Sequence, residues 1–112
     1  MLNIPEKYGY FENDECFHAS LESLIQTLSF FKYDLNFRQL IDLTAYKDTT
    51  TKLVYILRNI SKNQIVQIIV DCSGNVKSAT NLFPNAELYE CEIYEKFDII
   101  FLNHPNLVRI FS

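Results

Sequence analysis

The feature that most constrains the fold is a pair of β-rich runs separated by only three residues. The runs cover residues 53–60 and 64–71 and are rich in Val, Ile, Leu and Tyr. A connection of three residues is too short for a crossover helix, so the two runs predict an antiparallel hairpin. Because both runs are apolar on nearly both faces, we expect the hairpin to lie inside a sheet with helices over one side.

Apolar residues at helical spacing predict one helix before the hairpin and another after it. We expect the first helix to be capped by Ser20 and to extend to Tyr33. The second is predicted over residues 86–97, with Asn85 as its cap. Asp98 should end it in a left-handed conformation, which Asp tolerates better than most residues.

Shorter patterns predict the remaining elements. Residues 8–18 indicate two short extended pieces around a polar turn, and residues 99–102 indicate a last strand. Asn36 and Gln39 resemble a capping box, which predicts a short helix that includes residues 40–43.

The length of 112 residues leaves room for one domain, and we expect a single domain over residues 1–112. The predicted fold class is α+β, with a mainly antiparallel sheet and helices packed on one face.

The charge balance argues against two classes of partner. The net charge is −4, and the acidic excess lies entirely in residues 1–50. Without a basic cluster, the chain lacks the counterion release that drives binding to nucleic acid, and it lacks attraction to anionic membranes. We therefore expect no nucleic-acid partner and no direct membrane contact.

The cysteines and glycines argue against a cofactor. Cys16, Cys72 and Cys91 are three in number, widely spaced and without a CxxC pair, and we find no histidine at metal-ligand spacing from them. We expect reduced cysteines and a chain without metal or cofactor, since an iron–sulfur cluster needs four thiolates. Two glycines also exclude a glycine-rich phosphate loop.

The candidates for catalysis are few. Glu87 and Glu90 share a helix face, and His104 lies in a turn without a recognisable nucleophile nearby. By elimination, the residues favour a binding or structural chain and no catalytic site.

Two segments resemble a known family. Residues 78–99 read SATNLFPNAELYECEIYEKFDI, and residues 101–110 read FLNHPNLVRI. This order of motifs resembles the C subunit of NADH-quinone oxidoreductase, the thirty-kilodalton-type subunit of respiratory complex I. Residues 40–46, LIDLTAY, are similar to a further segment of that family. The resemblance covers about residues 20–111.

The chain departs from the family pattern at several positions. Leu88 replaces a tryptophan, Cys91 an arginine, Asp98 and Asn103 two glycines, and Val108 an arginine. The sequence stops at Ser112, where the family continues into a tail, so we expect a minimal member.

The resemblance implies a subunit that catalyses nothing and binds no cofactor. Its partners would be the large, hydrogenase-like subunit and the small iron–sulfur subunit of one complex. The chain would lie at the cytoplasmic side of the inner membrane, attached through that complex. Six of the residues that match the motif are the predicted docking residues: Tyr89, Glu90, Glu92, Tyr94, His104 and Arg109.

Several alternatives stay open at this point. The same module occurs in membrane-bound energy-converting [NiFe] hydrogenases. A small acidic immunity or inhibitor protein would share the size and charge, and an enzyme would need His104 and a carboxylate in one cleft. Glu92 and Arg109 could also form an ion pair within the domain instead of contacting a partner.

Overall fold

A computed structural model describes residues 4–72 and 74–105. The elements are a short 3-10 helix at Glu6–Tyr8, strands β1 (Gly9–Asn13) and β2 (Cys16–Ala19), helix α1 (Leu24–Tyr33), strands β3 (Gln39–Lys47), β4 (Thr51–Asn59), β5 (Gln64–Cys72) and β6 (Val76–Lys77), helix α2 (Ala86–Phe97) and strand β7 (Phe101–Leu102).

Five strands form one sheet in the order β1-β2-β5-β4-β3, and β6 pairs with β7 in a separate two-stranded sheet. All neighbours in the large sheet are antiparallel except β2 and β5. The predicted hairpin is confirmed, because β4 and β5 pair from Thr51 with Cys72 to Asn59 with Gln64. It lies inside the sheet, with β2 beside β5 and β3 beside β4.

The core lies on one face of this sheet. Leu57 and Val66 are paired across β4 and β5, and both are buried. Aromatic rings join the sheet to α1, since Phe31 of the helix makes edge-to-face contacts with Phe17 of β2 and with Phe37, which precedes β3. Buried residues of both helices belong to the same cluster. The predicted α+β class, with helices on one face of a mainly antiparallel sheet, is confirmed.

The helix predicted at residues 40–43 is wrong, because this segment is the edge strand β3. The pairing with β4 shifts register between Leu40 and Asp42, so Ile41 is an extra residue in a bulge. The bulge places the buried residues Leu40 and Leu43 three apart, and this spacing imitates a helical period. Asn36 has a φ of 65°, which differs from the extended conformation of a helix cap.

The predicted serine cap is wrong, and the predicted asparagine cap is confirmed in position but not in hydrogen bonding. Helix α1 begins at Leu24, and the residue before it, Ser23, makes no side-chain capping bond. Asn85 precedes α2 as predicted but makes no capping bond either. Its side chain donates instead to the carbonyl of Leu40, at 2.8 Å.

Two positions where the family pattern has glycine keep a left-handed backbone. Asp98 ends α2 with φ 57°, as predicted, and its N–H donates to the carbonyl of Tyr94. Asn103 has φ 65° and turns the chain after β7. Asp and Asn adopt this conformation at lower cost than other side chains, so the turns persist without glycine.

Candidate partner-docking site

Helix α2, which carries most of the predicted docking residues, rests against the bulged part of β3. Asn85 donates to the Leu40 carbonyl, and the Tyr89 hydroxyl lies 3.4 Å from the carbonyl oxygen of Ile41. Ala86 and Ile93 belong to the core cluster. One side of the helix is therefore fixed to the edge strand and the core.

The carboxylate of Glu90 lies in the interior, with none of its side chain exposed. Its Oε1 accepts a hydrogen bond from the Ser78 hydroxyl at 2.6 Å, and its Oε2 accepts from the Ala79 backbone N–H at 2.8 Å. Ser78 Oγ also lies 2.9 Å from the hydroxyl oxygen of Thr80. Ser78 and Thr80 of the motif thus join Glu90 in one hydrogen-bond network, in which the Glu90 side chain is fully buried.

Burial raises the pKa of Glu90 and that of a second interior side chain, Tyr55. Desolvation raises the pKa of Glu90, although the Ala79 N–H, the Ser78 hydroxyl and the nearby His104 oppose the shift. Tyr55 is fully buried, and desolvation raises the pKa of its hydroxyl well above the usual value. The charge of Glu90 raises the pKa of Tyr55 further.

His104 joins the turn after β7 to the first turns of α2. Its Nε2 lies 3.0 Å from the Glu87 carbonyl oxygen, 3.8 Å from Glu90 Oε1 and 3.8 Å from Cys91 Sγ. Because a carbonyl oxygen can only accept, Nε2 carries the hydrogen in the Glu87 bond. The His104 side chain has no exposed surface.

The structure therefore separates the predicted docking residues into two groups. Glu90 and His104 are brought together, and neither side chain is exposed. Glu92 is exposed, and Tyr89 and Tyr94 are partly exposed. Arg109 lies outside the described residues. The docking role of the whole set stays a prediction.

The predicted docking residues do not include Leu88, which is exposed on the same helix. Leu88 is 70% exposed, the largest exposed fraction among the large hydrophobic residues that the structure describes. It lies four residues before Glu92, so the two side chains share one face of the helix. The sequence carried a signal for it, because Leu88 occupies the position where the resembled family has a tryptophan.

The enzyme alternative needed His104 and a carboxylate in one cleft. Glu90 is near His104, but neither side chain is accessible to a substrate. An open groove of about 820 Å³ lies elsewhere, at the ends of the two hairpins, and is lined by residues that include Asn13, Phe37 and Gln64. The geometry does not favour catalysis at His104.

Among residues 4–72 and 74–105, no helix has the length and hydrophobicity needed to cross a membrane.

Comparison with known proteins supports the likeness seen in the motifs. Residues 17–112 match the family described as respiratory-chain NADH dehydrogenase, 30 Kd subunit. The chain is 33% identical over 96 residues to the C subunit of NADH-quinone oxidoreductase from Citrifermentans bemidjiense, covering 80% of this chain and 60% of that protein. It is 35% identical over 102 residues to the same protein from Caulobacter vibrioides, covering 84% and 52%. The chain thus spans between half and two thirds of the length of these relatives.

Two solved structures share the fold. A trypsin-resistant fragment of Nqo5 has a TM-score of 0.74 at 21% identity, with 82% of this chain and 81% of that chain covered. A chain of the membrane-bound sulfane sulfur reductase, an archaeal respiratory membrane complex, has a TM-score of 0.81 at 18% identity, with 96% and 69% covered. Because the family match extends over residues 17–112, the chain belongs to the family of the respiratory-chain NADH dehydrogenase 30 Kd subunit.

Proposed function

We propose that this chain is a non-catalytic subunit of a membrane-associated NADH-quinone oxidoreductase of the complex I type. It docks on the large, hydrogenase-like subunit and on the small iron–sulfur subunit, and it supports electron transfer to quinone by holding them in place. The assembly lies at the cytoplasmic side of the inner membrane, and the chain reaches the membrane only through it. The observation that carries the proposal is the family match over residues 17–112.

The proposed docking face is the exposed side of α2. It consists of Leu88 and Glu92, flanked by the partly exposed Tyr89 and Tyr94. An exposed apolar side chain beside a charged one is typical of a contact that buries the first and pairs the second. Glu90 and His104 act from beneath, because their buried bonds fix α2 against the segment 78–80 and the turn after β7.

A second candidate is the equivalent subunit of a related membrane complex, in particular an energy-converting [NiFe] hydrogenase. The fold likeness to a chain of an archaeal respiratory membrane complex, over 96% of this chain, keeps this candidate open. The same docking face would serve in either assembly.

The test is capture and deletion in the organism that encodes the chain. A tagged chain should recover iron–sulfur subunits from detergent-solubilised membranes, and deletion should abolish assembly of NADH- or quinone-linked electron transfer. Loss of ferredoxin-linked hydrogen evolution with intact quinone reduction would move the assignment to the hydrogenase. Recovery of a toxin-like protein in place of iron–sulfur subunits would reject both.

A double variant distinguishes a docking role for Glu92 and Arg109 from an ion pair within the domain. Glu92→Ala with Arg109→Ala should leave the chain folded but weaken its capture of the large subunit. Stranding one partner of a desolvated interfacial ion pair costs roughly 2 to 5 kcal/mol of binding. Unfolding of the double variant before any assembly defect would instead support an ion pair within the domain.

A further inference from the structure

Three side chains with metal-binding atoms, those of Glu12, Cys16 and His18, lie close together on the β1–β2 hairpin. His18 Nε2 lies 2.6 Å from Glu12 Oε1, and the Cys16 thiol is close enough that the three ligand atoms all lie within 4.8 Å of one another. Two of these residues precede residue 17, where the family match begins. The cluster is therefore separate from the motif that identifies the family.

The hairpin geometry explains the convergence. Cys16 and His18 are two residues apart on β2, so both project from the same face of the sheet. The register shifts between Phe11 and Asn13, which leaves Glu12 as an extra residue opposite this strand. Glu12 is two residues from Tyr10, which pairs with His18, and its carboxylate reaches the His18 ring.

The hairpin also holds these side chains in place. The Tyr10 ring stacks on the His18 ring, with centroids 5.0 Å apart and planes 17° apart. On the opposite face, Phe11 and Phe17 are in edge-to-face contact, and Phe17 is fully buried in the core. The strand that carries two of the donors is therefore anchored, and the histidine ring is restrained.

The three donors suit a transition-metal ion. Zinc takes thiolate sulfur, imidazole nitrogen and carboxylate oxygen at about 2.0 to 2.3 Å, usually in a tetrahedron. Such a tetrahedron requires its ligand atoms to be roughly 3.3 to 3.7 Å apart. The distances between the three ligand atoms here range from 2.6 Å to at most 4.8 Å, which brackets that spacing. A thiolate and an imidazole also favour zinc over magnesium or calcium, which prefer all-oxygen sites.

We propose that Glu12, Cys16 and His18 form a three-ligand site for Zn²⁺, whose fourth position faces the exposed side of the hairpin. Binding replaces the Cys16 S–H bond with a zinc–sulfur bond and releases the proton to solvent. This inference replaces the expectation from the sequence that the chain binds no metal. The site was absent from the sequence predictions, although Cys-x-His on a strand puts both side chains on one face and was a usable signal.

The test uses the full chain, stripped of metal and titrated with Co²⁺ and then with Zn²⁺. Co²⁺ should bind with a stoichiometry of one and give a thiolate charge-transfer band in the near ultraviolet, which Zn²⁺ should abolish. Cys16→Ser and His18→Gln should each weaken Zn²⁺ binding by at least about tenfold, since even residues that only orient a ligand cost that much. Cys72→Ser is the matched control, because Cys72 is also partly buried and unoxidised.

A measurement on the unmodified chain keeps the proposal testable if a variant fails to fold. The chain has two histidines, and His104 is buried beside α2. One equivalent of Zn²⁺ should shift the imidazole ¹⁵N resonances of His18 and leave those of His104 in place. Zinc binding that Cys16→Ser does not weaken, or that leaves the His18 resonances unmoved, would overturn the proposal. Neither result depends on whether the chain assembles with a partner.

Discussion

The Glu90 carboxylate on α2 accepts a hydrogen bond from the backbone N–H of Ala79, with 2.8 Å between nitrogen and Oε2. This bond joins two parts of the family motif that are eleven residues apart in sequence. The other carboxylate oxygen of Glu90, Oε1, accepts a hydrogen bond from the Ser78 hydroxyl, so Glu90 is bonded to both Ser78 and Ala79. We infer that this part of the motif maintains the position of α2, while the exposed part is left for contact.

The burial of Glu90 should make the stability of the chain depend on pH. Its folded-state pKa is raised above the ordinary value of 4.5, so the folded chain holds this proton to higher pH than the unfolded chain. The contribution to stability is present below pH 4.5 and is lost as the pH rises through the folded pKa. Glu90→Gln replaces the titrating carboxyl group with an amide and should therefore flatten this decline. The measurement is the free energy of unfolding in urea across the pH range.

The exposed Glu92 provides the control for that experiment. Glu92→Gln removes the same charge from the surface of the same helix and should leave the decline above pH 4.5 unchanged. An equal decline in the wild-type chain and in Glu90→Gln would assign the pH dependence to another group.

Gly9 should not tolerate a side chain. Its φ is 142°, and an added Cβ would lie 1.9 Å from the backbone oxygen of His18. Gly9→Ala should cost at least about 2 kcal/mol, because both the backbone conformation and the strand pairing would have to change. Gly74→Ala is the control, since an added Cβ there meets nothing within 4 Å, and it should cost about 0.5 kcal/mol or less. Equal losses in thermal or urea unfolding would contradict this account.

The two faces of the sheet should respond differently to truncation. Leu57 is fully buried on the face that carries the helices, whereas Ile69 is partly exposed on the other face. Leu57→Ala should cost about 2 to 5 kcal/mol, and Ile69→Ala about 1 kcal/mol, since little cavity forms at a partly exposed site. Urea unfolding measures both. A loss at Ile69 as large as that at Leu57 would show that the second face is covered as well.

The docking proposal predicts a specific effect at Leu88. Leu88→Glu should leave the free energy of unfolding within about 0.5 kcal/mol, because the side chain is exposed. If Leu88 is an anchor worth about 2 kcal/mol in the interface, recovery of iron–sulfur subunits on the tagged chain should fall roughly thirtyfold.

Ile60→Glu is the matched control for Leu88→Glu. Ile60 is 65% exposed but follows β4, in the loop between β4 and β5. This variant should capture partner subunits like the wild-type chain. Equal loss of capture in both variants would point to general insolubility instead of a docking face on α2.

The sequence predicted the candidate site only in part. The motif placed the predicted docking residues on α2, in the turn that contains His104 and at Arg109, and their docking role stays a prediction. It did not reveal that Glu90 and His104 are buried, because burial depends on the segment 78–80 folding back against the helix. A sequence motif gives equal weight to residues that support a surface and residues that form it.

The sequence by itself determined the elements whose signals are local. The three-residue connection specified the β4–β5 hairpin, and the limits of α2 followed from Asn85 before it and Asp98 after it. The tertiary structure decided what depends on distant partners. Pairing with β4 made residues 39–47 a bulged strand, although Leu40 and Leu43 have helical spacing. Folding likewise brought Glu12 to Cys16 and His18, since Glu12 lies opposite these residues only when β1 and β2 pair. Hydrogen bonds between strands are formed with residues far along the chain, so no window of sequence contains them.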